Sequence, residues 1–558
     1  MGIDMQTVEV TFPSGKKQVV SYGTRVKDLI NNNSEFSKNQ FPIIAAQINN
    51  EIVSLSFKVE INSFLKPVTY DSSIGANIYR RSLCFLLAIS AKELFPHRRL
   101  VIGHSLGNGY YYYFDGFTDI NDQDIKNIET RMREIVEMDI PIQRKVLSYS
   151  DALRLFKEMN QPDTMLLIQQ TNDSKIPIYE CGEFRDLSHG PLAPNTGMLK
   201  YFELKNYKQG FLLRYPPEGG SIEIPPFEDV EVLFSIYKEY KAWGKILNVN
   251  SVGKLNELIS DGDIDQFILV AETLHNKKIA EIADRIHAQK DSVRVVLIAG
   301  PSSSGKTTFT QKLAIQLRVL GFNPVTISLD DYFIPRELNP KDENGNFDFE
   351  ALEAIDVPLL NQHLIDLFKG TEVIIPDFDF KTGNRRPGGK PLKLSDRNII
   401  IMEGIHGLND KLTPLIDKDQ KYKIYISALT QLNLDDHNRI STTDNRLLRR
   451  IVRDYLFRGY SALETLSRWP SVRRGENKNI FPYQSNADSA FNSALDYELA
   501  VLKMYATPLL KSVKPYHEQY AEAMRLLNFI DNFNPIHAKH VPDDSILREF
   551  IGDSIFKY

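Results

Sequence analysis

The stretch Gly300-Pro301-Ser302-Ser303-Ser304-Gly305-Lys306-Thr307-Thr308 decides the fold of the C-terminal half of the chain. An apolar, β-branched run at 293–299 precedes it and predicts a buried strand. Apolar residues at helical spacing follow it, and Gly321 stands where a helix commonly ends. A strand, a glycine loop and a helix in this order direct backbone N–H groups and the helix dipole at a polyphosphate. The stretch therefore predicts a nucleoside triphosphate site rather than a chance turn.

Two side chains of this loop have separate predicted roles. The ammonium of Lys306 can reach the β- and γ-phosphates, which also makes it a catalytic candidate, and the hydroxyl of Thr307 can bind Mg2+. The predicted ATP-binding residues of the loop are Gly300, Ser302, Ser303, Ser304, Gly305, Lys306, Thr307 and Thr308.

Length and composition bound the class of protein. A chain of 558 residues exceeds one core and predicts about three or four domains. A formal net charge of −5 gives no overall basic surface for nucleic acid, and two cysteines cannot build a disulfide framework. The apolar runs are too short for a membrane span. We expect a cytoplasmic protein without a membrane partner, and the composition leaves its oligomeric state open.

Downstream of residue 290, apolar strands alternate with helical stretches, which predicts a mostly parallel sheet with helices on both faces. The predicted strands are 293–299, 325–329, 373–375, 399–402 and 424–427. Asp330 follows the second strand and Glu403 the fourth, so both lie at the edge where such sheets bind ligands. Phosphoryl transfer needs a proton acceptor and a metal. We predict Asp330 as the base, and Thr307 and Glu403 as Mg2+ ligands; simple capping or solvated acids are the alternatives.

A cluster of arginines follows Asp444 at spacings of three and four, so its members share one helix face: Arg446, Arg449, Arg450 and Arg453. Forked guanidinium donors suit a lid that closes over phosphates. The alternative is a solvated helix that is salt-bridged to Asp444 and Asp454.

The motifs of this half stand in the order used by uridine kinases. After the loop come Ser328-x-Asp330, Asn346-Phe347-Asp348, Phe378-Asp379-Phe380, Glu403-Gly404-Ile405 and the arginine run to Asp454. Residues 290–510 therefore resemble the uridine kinase/phosphoribulokinase family. The resemblance implies a P-loop kinase that uses ATP and Mg2+ to phosphorylate the 5′-hydroxyl of a nucleoside, with uridine or cytidine favoured.

The same resemblance implies substrate contacts. Asp330 would act on the 5′-hydroxyl, Asp348 would hold the ribose and Phe378 would lie near the base. Tyr332 and Arg446 complete the implied substrate site, and Arg449, Arg450 and Arg453 the ATP lid. Gly383 stands where animal-type uridine–cytidine kinases carry a histidine, and segment 469–492 differs from the short counterpart in simple uridine kinases. The base and the donor, ATP or GTP, are therefore open, as are two alternatives: a kinase of another small metabolite, and an RNA-binding regulator that senses nucleotide.

The N-terminal half resembles two domains of threonyl-tRNA synthetases. Residues 6–65, with a turn at Pro13-Ser14-Gly15 and a helix near 26–31, are similar to the TGS domain. Residues 70–225 are similar to the editing domain through 80–88 and Pro194-Asn195-Thr196-Gly197. The zinc-ligand positions of that family hold Arg81, Phe85, Cys181 and Arg185. One cysteine cannot hold zinc, so neither zinc nor editing hydrolysis is expected.

Other polar and aromatic residues of this half favour structural roles. His104 and His189 are expected to be hydrogen-bonded structural residues, and the aromatic run 110–114 to be core rather than a stacking platform for RNA. We interpret the half as a regulatory or RNA-sensing module. The predicted organisation is a TGS-like α+β module (1–66), an editing-like α+β domain (67–227), a helical connector (228–290), an α/β P-loop kinase domain (291–510) and a C-terminal helical tail (511–558).

Overall fold

The structure, a computed structural model, describes residues 6–36, 40–116, 120–171, 173–229, 231–341, 345, 347–379 and 382–557. The chain forms two compact units that interleave along the sequence. Unit 1 comprises 1–262, 431–441 and 507–535, and unit 2 comprises 263–430, 442–506 and 536–558. Among the described residues, no helix is long and apolar enough to cross a membrane.

Unit 1 begins with a five-stranded sheet, in the order Lys17–Ser21, Thr7–Thr11, Ser63–Thr69, Ile43–Ile48 and Glu51–Val53. The predicted turn joins its first two strands in the chain, and Gly15 adopts φ +82°, a conformation that glycine reaches without steric cost. A two-stranded ladder joins Thr24–Arg25 to Lys58–Val59. The helix Val26–Asn31 forms where it is predicted and buries three apolar side chains against the sheet.

The next part of unit 1 is built around the buried helix Ser73–Leu94. A four-stranded sheet has the order Glu203–Tyr207, Gly210–Arg214, Gly109–Phe114 and Leu100–Ser105, and a three-stranded sheet the order Gln143–Ser148, Lys175–Cys181 and Phe184–Leu187. The further helices are Asp122–Glu137, Tyr149–Glu158, Pro162–Thr171, Glu231–Ile246, Val252–Asp261 and Tyr520–Ile530. The aromatic run packs as core: Tyr111, Tyr112 and Phe114 are at most 4% exposed.

The positions that match zinc ligands of the editing family have packing and pairing partners. Arg81 donates to the Pro191 carbonyl at 3.1 Å, and the Phe85 ring meets Phe184 edge-on at 5.3 Å. Cys181 is buried, and Arg185 pairs with Glu180 at 2.7 Å. At these positions the side chains are thus engaged in a hydrogen bond, a ring contact, burial and an ion pair within unit 1.

Segment 431–441 is a largely buried part of unit 1, although in the chain it follows the strand Lys421–Ser427 of unit 2. The Asn433 side chain donates to the Ile102 carbonyl at 2.9 Å. Asp435 accepts from His189 at 2.7 Å, which gives that histidine the structural partner expected of it. Asp436 pairs with Arg99 at 2.6 Å, and His437 with Asp186 at 2.6 Å. Hydrogen bonds and ion pairs from four closely spaced residues thus hold this segment within unit 1.

Unit 2 is centred on a five-stranded, wholly parallel sheet in the order β2-β3-β1-β4-β5. Its strands are β1 (Val295–Ala299), β2 (Asn323–Ser328), β3 (Asn398–Glu403), β4 (Lys421–Ser427) and β5 (Ser489–Asn492). Its helices are α1 (Ile264–His287), α2 (Lys306–Val319), α3 (Val357–Phe368), α4 (Thr442–Arg453), α5 (Ala462–Asn479), α6 (Glu498–Lys511, whose last turn enters unit 1) and α7 (Arg548–Ile551). The predicted α/β class is confirmed.

The strand predicted at 373–375 pairs outside the parallel sheet, and the strand Ser489–Asn492 was not predicted. Val373–Ile375 pairs antiparallel with Lys390–Leu392 outside the parallel sheet, and Phe378–Asp379 pairs with Asn384–Arg385 in a second small hairpin. Edge strand β5 lies instead within the unusual segment 469–492. The prediction of 373–375 as a sheet strand is therefore wrong, because its short apolar run serves a hairpin.

Candidate functional site

The phosphate loop connects β1 to α2 at the carboxyl edge of the sheet. Two glycines are required by its geometry: a Cβ on Gly300 would lie 2.1 Å from the Ile426 carbonyl oxygen, and Gly305 adopts φ +81°. Lys306 Nζ donates to the carbonyls of Gly300 at 3.0 Å and Pro301 at 3.4 Å, inside the loop. The first-turn N–H groups of α2 have no acceptor within that helix, so the loop is shaped for an anion.

Two carboxylates meet the loop at this edge. Thr307 Oγ1 donates to Glu403 Oε1 at 3.1 Å, and Glu403 ends β3 in register with Ser328, the last residue of β2. Asp330 follows Ser328, whose side chain accepts from the Asp330 N–H at 3.3 Å. The strand ends therefore bring together Lys306, Thr307, Asp330 and Glu403, all of which the sequence predicts as site residues.

The electrostatics of the cleft link these groups. Burial raises the pKa of Glu403 to about 7; Lys306 opposes the shift, and Asp330 adds to it. Solvent reaches the Asp330 carboxylate at the open side of the cleft, but the surrounding protein limits its hydration and raises its pKa, again opposed by Lys306. The charge of Lys306 therefore partly offsets the effect of burial on both carboxylates and favours their ionised forms.

The oxygen donors present fit Mg2+. Proteins commonly hold this ion through one or two carboxylates together with substrate phosphates rather than by an all-protein cage. Glu403 and Thr307 supply that partial set beside the loop. The described residues contain no group of three or more His, Cys, Asp or Glu side chains that could hold a metal ion.

The arginines of α4 contact the outer rim of the phosphate loop. Arg446 donates to the Ser302 carbonyl at 3.1 Å, Arg449 to the Ser303 carbonyl at 3.3 Å, and Arg450 to Ser302 Oγ at 2.6 Å. Arg446 and Arg449 are at most 1% exposed, which contradicts the solvated part of the alternative, whereas Arg450 and Arg453 do pair with Asp454, as that alternative predicts. Arg453 pairs with Asp454 at 2.9 Å.

Two glutamates that sequence reasoning missed hold these arginines. Glu476 on α5 accepts from Arg446 at 2.9 Å and from the Ser302 N–H at 3.0 Å, and is 2% exposed. Glu498 on α6 is buried and pairs with Arg449. The phosphate loop is thus held through its backbone N–H group at Ser302 by Glu476 and through its backbone carbonyls by the arginines.

We expect Arg446→Met to lower the free energy of unfolding of unit 2 by about 3–5 kcal/mol, because it leaves the buried Glu476 carboxylate without its main partner. Urea unfolding followed by Trp469 fluorescence measures this, with Trp243 changed to Phe in every protein. Arg473→Met is the matched control, since Arg473 is 32% exposed and pairs with the same carboxylate; its expected effect is below about 1 kcal/mol. Equal losses of stability in Arg446→Met and Arg473→Met would contradict the stabilising role of the Arg446–Glu476 pair.

The predicted substrate residues do not all face the cleft. Tyr332 is fully buried, and its hydroxyl bonds His363 Nδ1 at 3.1 Å, so it belongs to the core of unit 2. Asp348 pairs with Lys478 at 3.0 Å, and the Phe378 ring lies 5.6 Å from that of Phe333. The predicted motif residues Asn346 and Phe380 lie outside the described residues.

Glu350 is a further acid at the cleft that the sequence did not single out. Burial and the charge of Glu476 raise its pKa to about 7, and Arg450 and Lys306 act in the opposite direction. Its closeness to Asp330 adds to the shift. Glu350 therefore interacts electrostatically with Asp330 and Lys306.

We expect Glu350→Gln to gain thermal stability relative to the wild type as pH rises. The Glu350 pKa rises from 4.5 to about 7 on folding, so its stabilising protonated form is lost as pH increases between these values. Tm measured at pH 5.5 and 8 tests this. The exposed Glu353→Gln is the control and should follow the wild type. A pH-independent difference between Glu350→Gln and wild type would contradict the shift.

Comparisons with known proteins divide along the chain. Residues 295–500 match the family model described as Phosphoribulokinase / Uridine kinase family. The N-terminal half is similar to threonine–tRNA ligases. The enzyme of Carboxydothermus hydrogenoformans is 35% identical, and the match covers 29% of this chain and 26% of that enzyme. The enzyme of Pelobacter propionicus is 31% identical, and the match covers 36% of this chain and 31% of that enzyme. The chain thus spans about a quarter to a third of these relatives.

Solved structures with kinase descriptions also match this chain. One, described as a possible uridine kinase from Bacillus stearothermophilus, is 19% identical, with 38% of this chain and all of that chain covered and a TM-score of 0.25. D-glycerate 3-kinase from Cryptococcus neoformans is 15% identical; the match covers 45% of this chain and 87% of that chain, with a TM-score of 0.22. Values this low carry no inference about substrate. The family match is the stronger finding: residues 295–500 of this chain are similar to the Phosphoribulokinase / Uridine kinase family.

Proposed function

We propose that this protein transfers the γ-phosphate of ATP to the 5′-hydroxyl of a nucleoside, with uridine and cytidine as the favoured acceptors. The observation that carries the proposal is the convergence of Lys306, Thr307, Asp330 and Glu403 at one edge of the sheet. The family match supports a kinase of a small metabolite, and the motif order supports a nucleoside.

In this mechanism the acceptor oxygen forms a bond to the γ-phosphorus while the bond from that phosphorus to the β–γ bridging oxygen breaks, and ADP leaves. Asp330 accepts the proton of the hydroxyl, and Lys306 offsets negative charge on the transferring group. Thr307 and Glu403 would hold Mg2+, which neutralises phosphate charge when bound. The arginines that brace the loop keep its donors in place before the substrates arrive.

A kinase of an anionic metabolite is the second candidate, and one contact favours it. A Cβ on Gly383 would lie 2.8 Å from Arg336 Nε, so the place of the family histidine is bordered by a guanidinium and has no room for a side chain. A guanidinium favours a phosphorylated or carboxylated acceptor over a neutral pyrimidine.

For the N-terminal half we propose a regulatory or RNA-sensing role. Its similarity to part of threonine–tRNA ligases supports an RNA ligand. The ion-paired and apolar partners found at the zinc-ligand positions argue against editing chemistry.

The test is ADP release from ATP and Mg2+ with a panel of nucleosides and sugar phosphates. Release stimulated by uridine or cytidine supports the proposal, and release stimulated by sugar phosphates alone supports the second candidate. Nucleotide binding without acceptor-dependent release, together with tight tRNA binding, would instead support a regulator that senses nucleotide.

A further inference from the structure

The last segment of unit 2, residues 536–557, packs against the phosphate loop and the start of α2; we name it the C-terminal strap. Ile546 lies against the loop, since a Cβ on Gly305 would be 2.5 Å from its Cγ2 atom. Lys312 Nζ pairs with Asp544 Oδ2 at 2.8 Å. Gln311 Nε2 donates to the Lys557 carbonyl at 2.9 Å. The strap therefore follows α2 over its first two turns.

One carboxylate of the strap occupies donors of the nucleotide site. The Thr308 N–H donates to Glu549 Oε2 at 3.1 Å, and Thr308 Oγ1 donates to the same oxygen at 2.8 Å. Thr308 lies in the first turn of α2, whose N–H groups cradle the α- and β-phosphates in loops of this type. Glu549 Oε2 thus takes the place of a phosphate oxygen, and a bound nucleotide would have to displace it.

The charge of Glu549 opposes nucleotide in a second way. Its carboxylate places a negative charge at the first turn of α2, directly beside the phosphate loop. A polyphosphate entering the loop would meet this negative charge at close range, where the Coulomb energy is largest.

The strap is anchored independently of this contact. Leu547 and Phe550 are fully buried, and the Arg449 guanidinium lies 4.9 Å above the Phe550 ring. Arg548 donates to the Val541 carbonyl at 2.6 Å. Glu549 itself is partly exposed, so its carboxylate can rotate away from Thr308 while these neighbours hold the strap in place.

From these contacts we propose that the C-terminal strap is autoinhibitory: Glu549 holds the Thr308 donors in place of nucleotide phosphate and must leave them before a nucleoside triphosphate binds. The inference rests on the proposed function, because it concerns the same phosphate loop. It adds an internal competitor whose removal strengthens nucleotide binding.

The experiment is calorimetric titration of the full chain with ADP and Mg2+. We expect Glu549→Gln to bind at least about tenfold more tightly than wild type, since the competing hydrogen bonds are charge-assisted. Asp553→Asn is the matched control: it removes the same charge from the same segment, is 93% exposed, and suits the positive φ of Asp553. Its affinity should equal that of wild type.

The outcomes separate the two proposals. Equal ADP affinity in wild type and Glu549→Gln overturns the autoinhibitory contact and leaves the kinase proposal standing. No ADP binding in any protein, including Glu549→Ala, overturns both. A gain shared by Asp553→Asn shows general charge repulsion rather than competition for Thr308 and also overturns the contact. Each variant is first checked for a wild-type unfolding transition, and Glu549→Ala replaces Glu549→Gln if that protein fails to fold.

Discussion

Lys306→Ala is expected to abolish turnover, with a loss of at least about 10³ in kcat, while the fold is retained. The ammonium can reach the β- and γ-phosphates, and its charge favours ionisation of both Asp330 and Glu403. Its hydrogen bonds are to two neutral loop carbonyls, so its loss breaks no hydrogen bond to a charged acceptor, and the fold should persist. ADP release in the acceptor panel measures turnover, and circular dichroism with Tm measures the fold.

Arg318→Ala is the control for this variant. It removes a positive charge from the same helix, α2, at an exposed position of the last turn. It should retain wild-type turnover. Normal turnover in Lys306→Ala would remove the phosphate loop from the mechanism and the kinase proposal with it.

Asp330→Asn is expected to lower kcat by a factor of about 10²–10⁴, the usual cost of losing a general base, with a smaller effect on KM for the acceptor. The amide keeps the size and polarity of the side chain and loses its ability to accept the hydroxyl proton. Because burial raises the Asp330 pKa, wild-type activity should fall on the acidic side as that carboxylate protonates, and the variant should lack this limb. Steady-state kinetics across pH measure both effects.

Asp331→Asn separates the base from its neighbour. The Asp331 carboxylate interacts with Lys390 and Asp377 instead of Lys306, so its replacement should change kcat by less than about tenfold. If Asp331→Asn shows the large loss and Asp330→Asn does not, the base has been assigned to the wrong carboxylate.

Local sequence patterns located most of the kinase fold because three of its five parallel strands are buried on both faces. They failed for Val373–Ile375, whose composition is that of a buried strand but whose hydrogen-bonding partner is a hairpin strand. Composition reports burial and says little about which strand is adjacent. Strand β5 has only four residues and carries two polar side chains, so it left no such signal.

The candidate site was predictable where chemistry is tied to chain position. Lys306 and Asp330 lie shortly after a strand and Glu403 ends one, and parallel strands end at one edge of the sheet. The positions of two further carboxylates near the loop could not be predicted from the sequence. Glu476 lies 30 residues from its partner Arg446, and Glu549 lies 241 residues from its partner Thr308. No periodicity connects such distant positions, so only the folded chain identifies these partners.

The interleaving of the two units has a consequence for biosynthesis. Arg99 and Asn256 belong to the first part of unit 1. The ion-pair partner of Arg99 is Asp436, and the hydrogen-bond acceptor of Asn256 is the Asn532 carbonyl; both partners are synthesised much later. Unit 1 therefore cannot close during translation of its own N-terminal 262 residues, and most of unit 2 is synthesised in the interval. Translation rate and chaperone access during that interval bear on the yield of folded protein, and a cut at residue 262 produces two incomplete pieces rather than two domains.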